Sequence, residues 1–239
     1  MSRVFLSAEW RYLALLNYRV DPTLLEPLVP EGTELDLWQG IAYVSVVGFL
    51  FANTRVLGVP IPFHRNFEEI NLRFYVRREV GSETRRAVTF IRELVPRRAI
   101  AATARATYNE PYLARRMRHH LGATADETTV DYEWHGGAGW SGVHVSATGA
   151  PDAIKPGSEE EFIAEHYWGY TRQRDGSTVE YEVHHPRWHV WPARTARLAG
   201  SVADVYPPRL AAVLGQTPDT AFLADGSRVT VHMPVHLRA

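Results

Sequence analysis

Four polar side chains stand at every second position of one run: Glu69, Asn71, Arg73 and Tyr75 in Phe67-Glu68-Glu69-Ile70-Asn71-Leu72-Arg73-Phe74-Tyr75-Val76. Alternation with Ile70, Leu72, Phe74 and Val76 is the pattern of a β-strand, whose successive side chains point to opposite faces. Pattern alone favours a solvated, ion-paired outer face for the polar set. The alternative places that face inside a curved sheet, where a carboxylate, an amide, a guanidinium and a phenol converge on a ligand. Two further segments carry reactive types: Ala104-Arg105-Ala106-Thr107-Tyr108-Asn109-Glu110-Pro111-Tyr112-Leu113 and Val183-His184-His185-Pro186-Arg187-Trp188. A Trp beside Pro and His is more often a packed corner than a site.

Other constellations are weaker. The stretch His135-Gly136-Gly137-Ala138-Gly139-Trp140-Ser141-Gly142 lacks the Lys-Ser/Thr ending of a phosphate loop, and strand-like Val143-His144-Val145 follows it instead of a helix. It reads as a hairpin loop. The histidine pairs His119-His120 and His184-His185, with His232 and His236, show no metalloprotease-type spacing, so scattered hydrogen-bonding histidines are expected and no metal. The Ser-hydrolase elbow and the dinucleotide fingerprint are both missing, and no cofactor is implied.

These residues sit in a chain of 239 residues, 45% hydrophobic and 22% charged, enough for a real core. Its 26 basic and 27 acidic residues nearly cancel, so no net field recruits nucleic acid or acidic lipid. The lack of cysteine removes disulfides, thiolate catalysis and iron–sulfur clusters. Arg supplies all the basic residues but one, so a mechanism that needs an amine has only Lys155. The start of the chain lacks the long apolar region of a signal peptide, and no apolar run reaches a membrane span, so a soluble cytoplasmic protein is expected.

Strand signals dominate the elements that must position the polar groups. Ile41–Phe51, Ala87–Val95, Thr129–Trp134 and Gly142–Thr148 read as strands beside the first run. Asp175-Gly176 predicts a hairpin between Tyr167–Gln173 and Thr178–His185; Asp225-Gly226 predicts another between Ala221–Leu223 and Arg228–His232. Helices are few: a turn capped by Asp21 with Leu24, Leu25 and Leu28 on one face, a segment opened by Ser158 through His166, one from Pro96 through Arg105, and one from Pro208 to Gly215. The expected whole is one α+β domain over residues 1–239, mostly antiparallel sheet. The helices from Asp21 and Pro96 are expected to cover the face of Ile70, Leu72 and Phe74.

Taken together, Trp10…Asn17-Tyr18, Asp21-Pro22…Leu25…Leu28-Val29-Pro30, the Phe67–Val76 strand, Ala104-Arg105…Pro111-Tyr112 and His184-His185-Pro186-Arg187-Trp188 resemble the YqjF-like family, a domain of unknown function. That family is similar to the acetoacetate decarboxylase superfamily. The resemblance implies a curved sheet closing into a cone-like β-barrel around a pocket, with a few flanking helices. It also implies that Glu69 falls on an acidic site position, Arg105 on an arginine, Pro111 on a proline, and Tyr112 on the lysine that forms a Schiff base with a β-keto acid.

A phenol cannot condense with a ketone to an iminium; only an amine provides that electron sink. Lys155, in the turn-like Asp152-Ala153-Ile154-Lys155-Pro156-Gly157, is no substitute. Schiff-base decarboxylation is therefore not expected. The surviving expectation is a cofactor-free lyase or isomerase for a small carbonyl or carboxylate compound. Glu69 would act as base, Tyr112 as hydrogen-bond donor to an enolate-like oxygen and His185 as a proton shuttle, while Arg73, Arg105, Asn71 and Tyr75 would bind substrate. The alternative is a non-catalytic barrel tuned only to hold a small ligand. A catalytic Glu69 should titrate above its ordinary value, and a binding carboxylate paired to arginine below it. A homo-oligomer is left open by the sequence.

Overall fold

The computed structural model describes residues 3–124 and 126–237. In chain order the first half contains β1 (Val4–Val20), two short 3₁₀ turns (Pro22–Leu24 and Glu26–Leu28), β2 (Glu34–Leu35), β3 (Ala42–Val56), β4 (Val59–Pro60), β5 (Phe67–Val80), β6 (Glu83–Val95) and α1 (Arg98–Tyr108). There follow β7 (Tyr112–Ala114), β8 (Met117–Ala123), β9 (Glu127–Gly136), β10 (Gly139–Thr148), β11 (Asp152–Ala153) and α2 (Glu159–Ala164). The last part holds β12 (Trp168–Arg172), β13 (Thr178–His184), β14 (His189–Ala199), α3 (Pro208–Leu214), β15 (Thr220–His232) and β16 (Val235–His236).

Pairing is mostly antiparallel, as the hairpin signals predict, and among the described residues it is parallel only where β12 and β7 meet β6. The long strands run in the order β13-β12-β6-β5-β3-β1-β15-β14-β10-β9-β8. Two pairs between β13 and β15, Val183 with Val231 and His184 with Thr230, bring that path back onto itself. The Asp175-Gly176 hairpin forms between β12 and β13.

Asp225-Gly226 does not form a hairpin. β15 runs straight through it, paired with β1 from Thr220 to His232. Gly226 takes φ 76°, and a Cβ there would fall 2.0 Å from the Trp10 carbonyl oxygen. The glycine therefore serves as a left-handed residue within the strand pressed against β1, a second use of Gly in strands that the dipeptide signal cannot separate from a turn.

Two cores lie on the two faces of the central strands. Ile70, Leu72, Phe74 and Val76 pack against Val130, Tyr132, Trp134 and Val143 of the β8–β10 layer and Leu210 and Leu214 of α3. A Cβ on Gly48 of β3 would meet the Tyr132 ring at 2.6 Å, so glycine is what lets the layers approach there. The cover of this face thus differs from expectation. Leu25 of the Asp21 turn joins it, but α1 packs on the opposite face, where Ala101 lies with Val47, Phe49, Phe67, Val88 and the α2 residues Phe162 and Ile163. Ser158 caps α2 by accepting from the Glu161 backbone N–H.

Candidate functional site

On the α1 side of β5, the polar face lines a cavity of about 240 Å³. Its walls are aromatic: Trp10, Phe49, Phe51, Phe67, Phe90 and Trp188. Ile100 and Ala104 of α1 close one side. The chain then turns at Asn109, a left-handed residue with φ 57° whose N–H caps the Arg105 carbonyl. This reversal delivers Glu110 and sends β7 back along β6, with Tyr112 beside Glu93.

At that end three carboxyls are buried together: Glu69 and Glu93 at 2% exposure and Glu110 at 4%. The Tyr112 hydroxyl donates to Glu69 Oε2 at 2.9 Å, and Asn71 Nδ2 donates to Oε1 at 3.1 Å. Glu110 Oε1 accepts from Thr171 at 2.5 Å and from Tyr181 at 2.8 Å. Glu93 Oε2 and Glu110 Oε2 have no hydrogen-bond partner among the described residues. Burial pushes the Glu69 carboxyl up to about 7, against the opposing bonds from Asn71 and Tyr112. Burial likewise takes Glu110 to about 7, and Glu93 is raised further in direction by burial and by the charges of Glu110 and Glu69. The Tyr112 phenol is held well above its ordinary range by burial and the three carboxylates, so it stays a neutral donor.

Glu93 reaches this cluster through a break in alternation. The β5–β6 register slips between Leu72 and Arg73: Leu72 pairs with Arg92, but Arg73 pairs with Phe90. Ile91 is the extra residue. Strict period two would put Phe90 and Glu93 on opposite faces; the bulge lets both line the cavity.

The other end is cationic. Arg73 is 8% exposed, its Nη2 donates to the Ile163 carbonyl at 3.0 Å, and its Nε has no partner. His166, just past α2, is 6% exposed, and among the described residues only the Ile163 backbone acts on its ring as a hydrogen-bond partner. Burial, then the charges of Arg86 and Arg73, hold its imidazole well below the ordinary histidine range. His185 is half-buried, stacks on Trp188 with centroids 4.3 Å apart, and places Nδ1 2.9 Å from the Pro186 carbonyl. Its imidazole is also lowered, mainly by burial.

Of the residues singled out from sequence, Glu69, Asn71, Arg73, Tyr112 and His185 line this cavity. Arg105 does not: it is exposed on the outer face of α1, because the helix turns Ile100, Ala101, Ala104 and Tyr108 inward. Tyr75 faces inward without lining the cavity. It is 1% exposed, shares a 2.6 Å hydrogen bond with Ser45 and packs against Phe162 and His166. Glu93, Glu110 and His166 escaped sequence reasoning. For Glu110 a signal existed, since it stands two residues before Tyr112 in the same segment; the bulge hid Glu93, and His166 has no motif. The lone lysine, Lys155, is exposed and outside the cavity lining.

Away from the cavity, one group has metal-donor types close together: Glu182, His184 and His232, whose donor atoms lie within 4.8 Å of one another. His184 Nε2 is 2.6 Å from Glu182 Oε1, and the His184 and His232 imidazoles lie tilted at 32° with centroids 4.7 Å apart. No described helix is long and apolar enough to cross a membrane.

The family described as an uncharacterized conserved protein, DUF2071, matches residues 7–228. YqjF of Bacillus subtilis (strain 168), an uncharacterized protein, is 26% identical over 198 residues, 82% of this chain and 79% of its own. Among solved structures, acetoacetate decarboxylase from Legionella pneumophila superposes with TM-score 0.67 at 12% identity, covering 98% of this chain and 87% of that one. An acetoacetate decarboxylase-like enzyme from Sphingomonas wittichii RW1 gives 0.65 at 12%, covering 98% and 93%. The enduracididine biosynthesis enzyme MppR, solved with pyruvate, gives 0.66 at 12%, covering 100% and 92%. At such identities the likeness shows a shared, acetoacetate decarboxylase-like fold.

Proposed function

This chain belongs to the DUF2071, YqjF-like family, and from that premise we propose that it is a cofactor-free enzyme that moves protons on a small carbonyl or carboxylate compound. We read residues 1–239 as one domain, with the ring of strands closed by β13 and β15 as the cone-like barrel that houses the site. The observation that carries the reading is the 2.9 Å bond between the Tyr112 hydroxyl and Glu69 Oε2 inside the cavity.

The chemistry follows from the two groups. A carboxylate poised near neutrality suits removal of a proton from carbon beside a carbonyl, since proton transfer is best served by a base whose pKa lies near the working pH. The neutral phenol suits the oxygen on which charge develops. Serving that oxygen requires Tyr112 to leave Glu69, and this frees Oε2 to receive the proton. The elevation of Glu69 favours catalysis over a binding role, for which an arginine would have held it low. With Lys155 exposed and a phenol at Tyr112, the described cavity lining offers no amine for Schiff-base decarboxylation. Enolisation, isomerisation and dehydration all begin with the step that remains.

The test is hydrogen–deuterium exchange at carbon next to a ketone, followed by NMR across a panel of oxo-acids and methyl ketones. Wild type should accelerate exchange on at least one compound, and Glu69→Gln should lose about 10²–10⁴ of that acceleration. Equal exchange by wild type and Glu69→Gln on every accepted compound would refute the assignment. Borohydride with a β-keto acid should leave the protein mass unchanged.

A further inference from the structure

We infer that Arg73 and His166 form a carboxylate subsite set apart from the Glu69–Tyr112 pair. The substrate would then be an oxo-acid whose acid group is separated from its carbonyl by an apolar spacer. This rests on the proposed proton-transfer reading and names its substrate class.

Arg73 carries the argument. A guanidinium is charged at any working pH, and burying one without an anion is costly. Arg73 is 8% exposed and forms no ion pair among the described residues. Its guanidinium meets the Ile163 carbonyl and the Tyr75 ring, 5.7 Å away. By contrast Arg86, on the next strand, has Asp36 at 2.7 Å. Arg73 therefore faces the cavity with its charge unmatched, and a ligand carboxylate is the anion that fits a fork of N–H donors.

His166 gives an independent sign at the same end. It is 6% exposed and lines the cavity, and with the Ile163 backbone acting on its ring it still leaves a ring nitrogen for a ligand. Arg73 acts electrostatically on His166 and His185, whereas the surroundings that set Glu69 are burial, Asn71 and Tyr112. The anion subsite and the base are thus at separate ends. Arg73 stands four positions beyond Glu69, roughly 13 Å of backbone at the usual rise. A carboxylate held at Arg73 leaves the carbonyl of a β-oxo acid short of Glu69. The aromatic lining suits methylenes, with Phe49 paired to Glu69, Phe90 paired to Arg73, and Trp188 in the same wall.

Calorimetric titration of wild type with methyl-ketone carboxylates decides this: acetoacetate (β-oxo), levulinate (γ-oxo), then the δ-oxo and ε-oxo acids. Affinity should rise along the series, with the δ- or ε-oxo acid at least tenfold tighter than acetoacetate. The primary amide of the tightest acid should bind at least tenfold more weakly. Arg73→Gln should lose the preference for acid over amide, Arg73→Lys should restore part of it, and Glu69→Gln should keep it. Acetoacetate binding as tightly as the longer acids overturns the spacer, and acid and amide binding wild type equally overturns the subsite without reliance on any variant. Tight, acid-selective binding without exchange would sink the proposed reaction and leave the subsite standing. Exchange on ketones with no preference for a carboxylate would do the reverse.

Discussion

Glu69 and Arg73 share one face of β5, both almost wholly buried in the wall of the same cavity, yet burial acts on them in opposite ways. A carboxyl can escape the cost of a buried charge by holding a proton, and Glu69, Glu93 and Glu110 are all pushed in that direction. A guanidinium has no such escape. The acid end therefore becomes a place where protons come and go, and the basic end a fixed positive charge. One strand supplies both a reactive and an anchoring function because its two ends differ in whether the charge can be given up.

The largest expected effect probes the acid end. Tyr112→Phe should cost about 10²–10³ in any exchange activity, the loss typical of one oxyanion donor, while leaving stability close to wild type because the ring still packs. A variant as active as wild type would make Tyr112 merely structural. Next comes the pH dependence of stability. Folded Glu69 holds its proton up to about 7, whereas the unfolded chain releases it near 4.5, so the folded state binds more protons between those values. Its contribution to stability therefore declines as pH rises from 4.5 to 7 and is unaffected below that window. Relative to wild type, Glu69→Gln should gain on the order of 3 kcal/mol at about pH 8 over about pH 4, read from urea unfolding. The same difference at both pH values would show that Glu69 is not elevated.

The basic end is tested by contrast with a paired arginine. Arg86→Met strands the buried carboxylate of Asp36 and should destabilise by roughly 2–3 kcal/mol, whereas Arg73→Met removes an unmatched charge and should be neutral or mildly stabilising. If Arg73→Met is the more damaging, Arg73 has a partner that the cavity argument overlooks. The smallest effects lie outside the cavity. Asn109→Ala should cost about 1 kcal/mol by placing alanine in a left-handed conformation. Arg105→Ala should stay within about 0.5 kcal/mol and leave ligand binding unchanged.

The contrast between ends also explains how much of the site could be read beforehand. Side-chain type and period two identify Glu69, Asn71 and Arg73 as one face, because alternation is a local property of a strand. Family likeness adds Tyr112 and His185. What sequence misjudged were the positions decided by neighbours: Tyr75, whose place among Phe162 and His166 depends on where α2 lands, and Arg105, whose outward orientation depends on which helix face meets the sheet.

β1 tells the same story for the fold. Its Leu13-Ala14-Leu15-Leu16 run lacks alternation because both faces are buried, Leu13 and Leu15 in one core and Ala14 and Leu16 in the other. No hairpin or period signal marks it, although it pairs along its length with β3 and β15.

The sequence by itself determined a mostly antiparallel sheet, the Asp175-Gly176 turn, the Asp21 and Ser158 caps, and the polar row on β5. Each of these depends on φ/ψ preference or on contacts within a few residues. Only the tertiary structure decided which layer covers which face, that Asp225-Gly226 lies within a strand and is not a turn, and that Glu93, Glu110 and His166 enter the cavity. Those outcomes rest on a one-residue bulge, a left-handed residue and the packing of distant strands, and their energies come from partners far apart in the chain.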